Sequence, residues 1–178
     1  MVRLFVALEL PPAMRDALLA AMGGVSGARW QRDDQLHLTL RFIGDVDRHQ
    51  ATDIAAALDG VRVEPLQLAL GAPGSFDRRG RIDSLWVGVT PGETVAALAQ
   101  RVNQALQRVG IPTESRAFVP HITVARLGRG AGLIGGFPAT PITTQPYEIK
   151  GFCLWESRLT RDGADYRIIE RYTGYPIG

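Results

Sequence analysis

One tetrapeptide pattern, His–apolar–Thr–aliphatic, occurs twice in this chain, as His37-Leu38-Thr39-Leu40 and His121-Ile122-Thr123-Val124. It constrains the fold more than any bulk property does. Alternation along a strand puts His and Thr on one face and the aliphatic residues on the other. The chain has only 3 histidines, and two of them sit in this setting. Two such strands facing one another would gather two imidazoles and two hydroxyls in one cleft, above an apolar core. Each motif is preceded by a predicted strand and a predicted helix, which points to a weak internal duplication. The expected fold class is α+β: two pseudo-symmetric lobes of antiparallel sheet with outer helices around a central cleft, intertwined into one domain over residues 1–178.

The remaining pattern fills in that frame. Arg3 to Glu9 alternates and reads as a strand, and Pro11-Pro12 opens a helix that Gly23-Gly24 ends. Trp30 to Asp34 reads as a polar connection, and Gln35 to Ile43 as the first motif strand, closed by Gly44-Asp45. His49 to Leu58 is a predicted helix, Pro65 to Leu70 a strand, Gly71 to Arg81 a Gly- and Arg-rich loop, and Ser84 to Val89 a strand. Thr94 to Val109 carries the clearest helical stripe, with Gly110 as its stop. The second motif strand runs from His121 to Leu127. A Gly- and Pro-punctuated segment follows, then strands over Tyr147–Leu159 and Tyr166–Tyr172, joined by a turn at Arg161-Asp162-Gly163.

Composition narrows the function classes. The single cysteine, Cys153, cannot form an internal disulfide and lies in an apolar run, so it reads as a buried, inert thiol. No apolar stretch approaches the roughly 20 residues of a membrane span, and the start does not read as a signal peptide, so the expectation is a soluble, cytoplasmic, monomeric protein. Net charge is +2 and the isoelectric point near 9.0, a mild basic bias. Of the 20 Lys and Arg residues all but Lys150 are arginine, the side chain suited to bidentate phosphate contacts. Gly130-Ala131-Gly132-Leu133-Ile134-Gly135 spells a dinucleotide fingerprint, but the prolines at 138 and 141 deny it the helix that would receive a pyrophosphate. His49, without a Thr partner, reads as solvated surface.

Two histidines in one cleft suit acid–base chemistry. Imidazole titrates near pH 6.5, so one member of a pair can accept a proton from water while the other donates one to a leaving alkoxide. Thr39 and Thr123 could donate hydrogen bonds to phosphate oxygens from the same faces. Two arginines compete for a phosphate contact. Arg41 lies on the His37 face by alternation, whereas Arg126 points away from the cleft unless a bulge intervenes. A metal-dependent hydrolase with His37 and His121 as ligands is an alternative, but no carboxylate accompanies them at metal-site spacing.

With these residues in view, the chain resembles the 2H phosphoesterase superfamily, most closely its RNA 2′,3′-cyclic phosphodiesterases, historically called 2′-5′ RNA ligases. Beyond the two motifs, the likeness covers Arg3–Ala7 with Leu10-Pro11, Trp30, Leu36–Gly44, Gly71–Phe76 with Leu85–Val89, Phe118–Arg126 and Leu154–Ser157 through Tyr166. The resemblance implies hydrolysis of a 2′,3′-cyclic phosphate at an RNA 3′ end to a 2′-phosphate, without metal or other cofactor and with possible reverse 2′-5′ ligation. It implies His37 as proton donor, His121 as proton acceptor, and Thr39, Thr123 and Arg126 as phosphate contacts, favouring Arg126 over Arg41. Alternatives are another cyclic phosphate such as ADP-ribose 1″,2″-cyclic phosphate, a 2′-5′ oligonucleotide, or a non-catalytic module that grips RNA ends.

Overall fold

The computed structural model describes residues 1–174. It contains nine strands and three α-helices in the order β1 (Val2–Glu9), α1 (Pro12–Ala21), β2 (Ala28–Trp30), β3 (His37–Val46), α2 (Arg48–Asp59), β4 (Leu66–Arg78), β5 (Arg81–Thr90), α3 (Gly92–Arg108), β6 (His121–Leu127), β7 (Pro146–Ile149), β8 (Gly151–Thr160) and β9 (Gly163–Thr173). Every strand pairing is antiparallel. The strands form one sheet in the order β7-β4-β5-β6-β3-β1-β8-β9, with β2 attached to β6.

The duplication is visible in that order. β3, β1, β8 and β9 form one half, and β6, β5, β4 and β7 the other. The halves join where β3 meets β6 at the single pair Leu38↔Ile122. The expected strand–helix–motif strand unit is β1-α1-β3 in the first half and β5-α3-β6 in the second. Each half also borrows strands from the other end of the chain, because β4 precedes β5 into the second half while β8 and β9 return to the first.

One large apolar cluster joins the helices to the sheet face that carries Leu38, Leu40, Ile122 and Val124. α3 contributes Val95, Leu98, Ala99, Val102 and Leu106, the residues its periodicity selects, and Gly110 follows it with a φ of 83° that favours glycine. α2 is capped by the Asp47 carboxylate, which accepts from the Gln50 N–H at 2.8 Å. A smaller cluster of Phe5, Ala7, Cys153 and Trp155 lies apart from it, with Tyr166 and Ile168 against it. Cys153 is buried there and its thiol is pushed up to about 12, chiefly by burial.

Four expectations need correcting. Gly71–Arg81 is not a loop: it is the far part of β4 and the tip of its hairpin with β5. β7 pairs only with Leu66–Ala69, so beyond that point β4 is an edge strand, the place where a sheet tolerates a proline such as Pro73. Gly74 is required there, because a Cβ would stand 2.3 Å from the Trp86 indole. The expected strand Tyr147–Leu159 is two strands, broken at Lys150, that pair with β4 and β1 on opposite sides of the sheet. Part of the connection around Trp30 is the short strand β2, paired with β6. The first motif strand runs through Gly44-Asp45 to Val46. The Gly-rich segment after β6 holds only a 3-10 turn at Ile134–Gly136 and packs its backbone on the end of α1, with the Ala139 N–H donating to the Ala21 carbonyl at 2.9 Å.

Candidate active site

The Leu38↔Ile122 pair fixes the centre of the site. Carrying that antiparallel register one residue each way sets His37 opposite Thr123 and Thr39 opposite His121. Leu38 and Ile122 are fully buried, so the four polar residues occupy the other face, and all four are partly exposed.

A bulge follows each motif. Ala7 pairs with Thr39 but Val6 with Arg41, so Leu40 is an extra residue. Trp86 pairs with Thr123 but Leu85 with Ala125, so Val124 is extra at the matching position. Each bulge reverses the parity of the strand beyond it. Arg41 therefore turns inward, 8 % exposed, and donates from Nη2 to the Pro112 carbonyl. Arg126, which strict alternation aims away, lines the cleft with His121 and Thr39. Arg78 also lines the cleft, at the hairpin tip that carries exposed Arg79 and Arg81. The cleft cavity is about 710 Å³.

Both imidazoles are held the same way. His37 Nδ1 is 2.7 Å from the Gln35 carbonyl and His121 Nδ1 is 2.6 Å from the Val119 carbonyl, each two residues earlier in the chain. A carbonyl only accepts, so the hydrogen bond assigns the proton to Nδ1 and leaves Nε2 as the free ring nitrogen. Aromatic walls fix the rings. His37 meets Tyr166 edge-on with centroids 5.0 Å apart, with Phe5 at 5.0 Å and Trp155 at 6.1 Å. His121 meets Phe76 edge-on at 4.8 Å and Trp86 at 5.9 Å. Sequence reading did not single out these five aromatics as site residues. They lie on other strands, and pairing register, which the sequence does not display, brings them in.

Burial pushes the His37 imidazole down to about 4, against the raising effect of its Gln35 carbonyl bond; Arg126 and His121 push the same way. Burial also lowers His121, opposed by the Val119 carbonyl and reinforced by Arg126. In the free protein both rings are thus neutral at pH 7, and the Arg126 charge is felt at both. Burial raises the Tyr166 phenol, and Arg126 opposes that rise. His49 lies apart, exposed on α2, with Asp53 at 3.9 Å. Among the described residues no group of three or more His, Cys, Asp or Glu is placed to hold a metal ion, and no helix is long and apolar enough to cross a membrane. Of the five candidate residues Thr39, His121 and Arg126 line the cavity, and His37 and Thr123 share their sheet face without lining it.

Comparison with known proteins agrees with this geometry. The LigT-like phosphoesterase family model matches the chain twice, over residues 8–86 and 87–166, so each match holds one motif strand. An RNA 2′,3′-cyclic phosphodiesterase of Archaeoglobus fulgidus is 28 % identical over 172 residues, covering 93 % of this chain and 96 % of that protein. One from Thermus thermophilus is 30 % identical, covering 96 % and 89 %. Among solved structures, E. coli LigT complexed with 3′-AMP superposes with a TM-score of 0.81 at 26 % identity, covering 97 % of this chain and 98 % of that one. TT0787 of Thermus thermophilus gives 0.79 at 26 %, covering 96 % and 97 %. The doubled motif strand, the doubled family match and the shared fold agree: this chain belongs to the LigT-like phosphoesterase family.

Proposed function

We propose that this protein is an RNA 2′,3′-cyclic phosphodiesterase that opens the cyclic phosphate at an RNA 3′ end to a 2′-phosphate by two-histidine acid–base catalysis without a metal. The observation that carries the reading is the crossed pairing of His37 with Thr123 and Thr39 with His121 across Leu38↔Ile122, with Arg126 alongside. The name that the relatives carry, RNA 2′,3′-cyclic phosphodiesterase, supports the substrate class.

In this mechanism Arg126, Thr39 and Thr123 hold the non-bridging phosphate oxygens. The His121 Nε2 accepts a proton from the attacking water as its oxygen bonds phosphorus. The phosphorus–3′-oxygen bond breaks, and an imidazolium at His37 protonates the departing 3′ oxygen. The donor must first gain that proton, because both rings are neutral in the free protein. An anionic phosphate beside Arg126 offsets the guanidinium charge that depresses both imidazoles, so substrate binding raises their proton affinity. Each assisted proton transfer contributes roughly 10²–10⁴-fold. In reverse, an RNA 5′-hydroxyl in place of water gives a 2′-5′ linkage. Hydrolysis dominates in dilute solution because a second RNA end must lose association entropy. The enzyme acts as a cytoplasmic monomer on RNA ends.

Incubation of the wild type, His37→Ala and His121→Ala with a short RNA ending in a 2′,3′-cyclic phosphate, in EDTA, tests the proposal. A 2′-phosphate from the wild type alone is expected, read by phosphorus NMR. Product only after a divalent metal is restored would overturn the metal-free mechanism, and a 3′-phosphate product would overturn the donor and acceptor placement.

A further inference from the structure

The chain arrives at the two histidines by different routes. Ahead of His37, β2 is laddered to β6, with Trp30 opposite Ala125, and the Gln31 N–H donates to the Val124 carbonyl at 2.9 Å. A 3-10 turn over Asp33–Gln35 follows. The Gln35 side chain braces that turn: Nε2 donates to the Ala164 carbonyl of β9 at 2.8 Å, and Oε1 accepts from the Arg32 N–H at 3.0 Å. The Gln35 carbonyl that holds His37 is therefore built into the sheet.

Ahead of His121 there is no such frame. Residues 112–120 are irregular and, among the described residues, make no backbone–backbone hydrogen bond. Residues 112–117 are exposed, and of the whole segment only Phe118 packs on the core. Yet this segment carries the Val119 carbonyl that holds His121, and Val119 is itself 42 % exposed. Apart from that bond to His121, the hydrogen bond the segment makes is with Arg41. The Arg41 guanidinium, nine-tenths buried, donates from Nη2 to the Pro112 carbonyl and has the Glu114 carboxylate 3.9 Å from Nη1. Arg41 and Val119 line the same cavity, so the segment leaves β3 at Pro112 and returns to it at Val119. On β3 Arg41 holds the place that Ala125, the partner of Trp30, holds on β6. Where the first half uses a backbone ladder, the second uses one side chain. Burying a guanidinium with Nε and Nη1 unpaired costs free energy that an aliphatic side chain would not, so the fold alone gives no reason for it.

We infer that Arg41 is a positioning residue for His121. By clasping Pro112 and Glu114 it fixes residues 112–120 and so keeps the Val119 carbonyl against His121 Nδ1. This rests on the proposed two-histidine reading. A proton acceptor needs its lone pair on Nε2, which requires the other proton on Nδ1, and a carbonyl kept in place there secures that tautomer. The role differs from a phosphate contact. Arg126, not Arg41, is the guanidinium whose charge is felt at both imidazoles.

Imidazole ¹⁵N spectra at mildly alkaline pH read the tautomers without turnover. The wild type should show both histidines in the Nδ1–H form. Arg41→Met should mix the Nε2–H form into His121 and leave His37, held by Gln35, as it was. His121 unchanged in a folded Arg41→Met protein, or both histidines altered alike, would overturn the inference. If Arg41→Met does not fold, Glu114→Ala, at an exposed position, gives the same test: a smaller admixture at His121 alone is expected, and none would overturn the clasp. With an RNA 2′,3′-cyclic phosphate end as substrate, Arg41→Met should lower kcat about ten-fold with KM little changed. Arg41→Lys, which keeps a donor for the Pro112 carbonyl, should recover most of that loss. Inorganic phosphate should bind Arg41→Met as it binds the wild type, and Arg126→Gln more weakly. Weaker phosphate binding by Arg41→Met, or a raised KM at constant kcat, would make Arg41 a substrate contact and overturn its positioning role. Failure of the phosphodiesterase reading looks different: the wild type then turns over no cyclic phosphate, while the tautomer spectra still decide what Arg41 does to His121.

Discussion

The two halves of the sheet share a plan and differ in what they place around it. Each has a His-x-Thr strand, a carbonyl two residues before the histidine to hold Nδ1, a bulge three residues after it, and aromatic walls about the ring. Beyond the bulges the match ends. The second half puts Arg126 in the cleft where the first puts Phe42, and the first turns Arg41 inward where the second has Ala125. His37 is packed among three aromatics and lowered to about 4, whereas His121 meets two. The shared parts hold two imidazoles alike, which the proposed mechanism uses as donor and acceptor. The differing parts give the cleft a direction, with charge from one half and an aromatic face from the other.

Removing either half of the acid–base pair should have the largest effect. His37→Ala and His121→Ala should each lower kcat by about 10³-fold. The double variant should be no worse than about the poorer single one, because the two groups act in one concerted step. Additive losses in single-turnover rates would show that the halves work independently and break the comparison.

Arg126 comes next. Arg126→Gln should lower kcat/KM by about 10²-fold through lost charge stabilisation at the phosphate. It should also move the alkaline limb of the kcat/KM profile to higher pH. Arg126 depresses both imidazoles in the free protein, so its removal lets each hold its proton to higher pH, and the singly protonated reacting form persists further. A limb that stays in place would separate Arg126 from the histidines electrostatically.

Much of this site was legible in the sequence, and the illegible parts share one cause. The doubled motif shows both strands and their faces, because period-2 alternation is local, whereas which residue stands opposite which comes only from the Leu38↔Ile122 register. The buried stripe of α3 and its glycine stop were equally local. Alternation alone could not pick Arg126 over Arg41, which only the resemblance favoured, because a bulge shows only in the register against a neighbouring strand. Lys150 hid the break between β7 and β8 for the same reason: an apolar run does not say which neighbours it joins. The edge position that lets Pro73 and Gly74 sit in β4 also depends on where β7 stops.

The threonines should give a smaller effect that sharpens the comparison. Thr39→Val and Thr123→Val keep shape and β propensity while deleting one hydroxyl donor, and each should lower kcat/KM by about ten-fold. Equal losses in steady-state rates mean that the phosphate sits on the pseudo-twofold. Unequal losses show which half it leans toward.

The smallest effect concerns stability, and it follows from the deeper burial of His37. Its folded value of about 4 lies below the ordinary 6.5, so between those pH values the unfolded chain binds the proton that the folded chain refuses. Stability from this group is complete above pH 6.5 and is lost as pH falls toward 4, by about 1–2 kcal/mol once solvent at the cleft is allowed for. His121 is lowered in the same direction and contributes in the same sense. Urea midpoints at pH 7 and pH 4.5 measure the loss. His37→Gln should retain more of its pH 7 stability at pH 4.5 than the wild type does, and His121→Gln should give a smaller gain, as its ring meets fewer aromatics. If the two variants gain equally, the two rings have the same proton affinity in the folded protein, and the additional aromatic wall about His37 makes no difference to it.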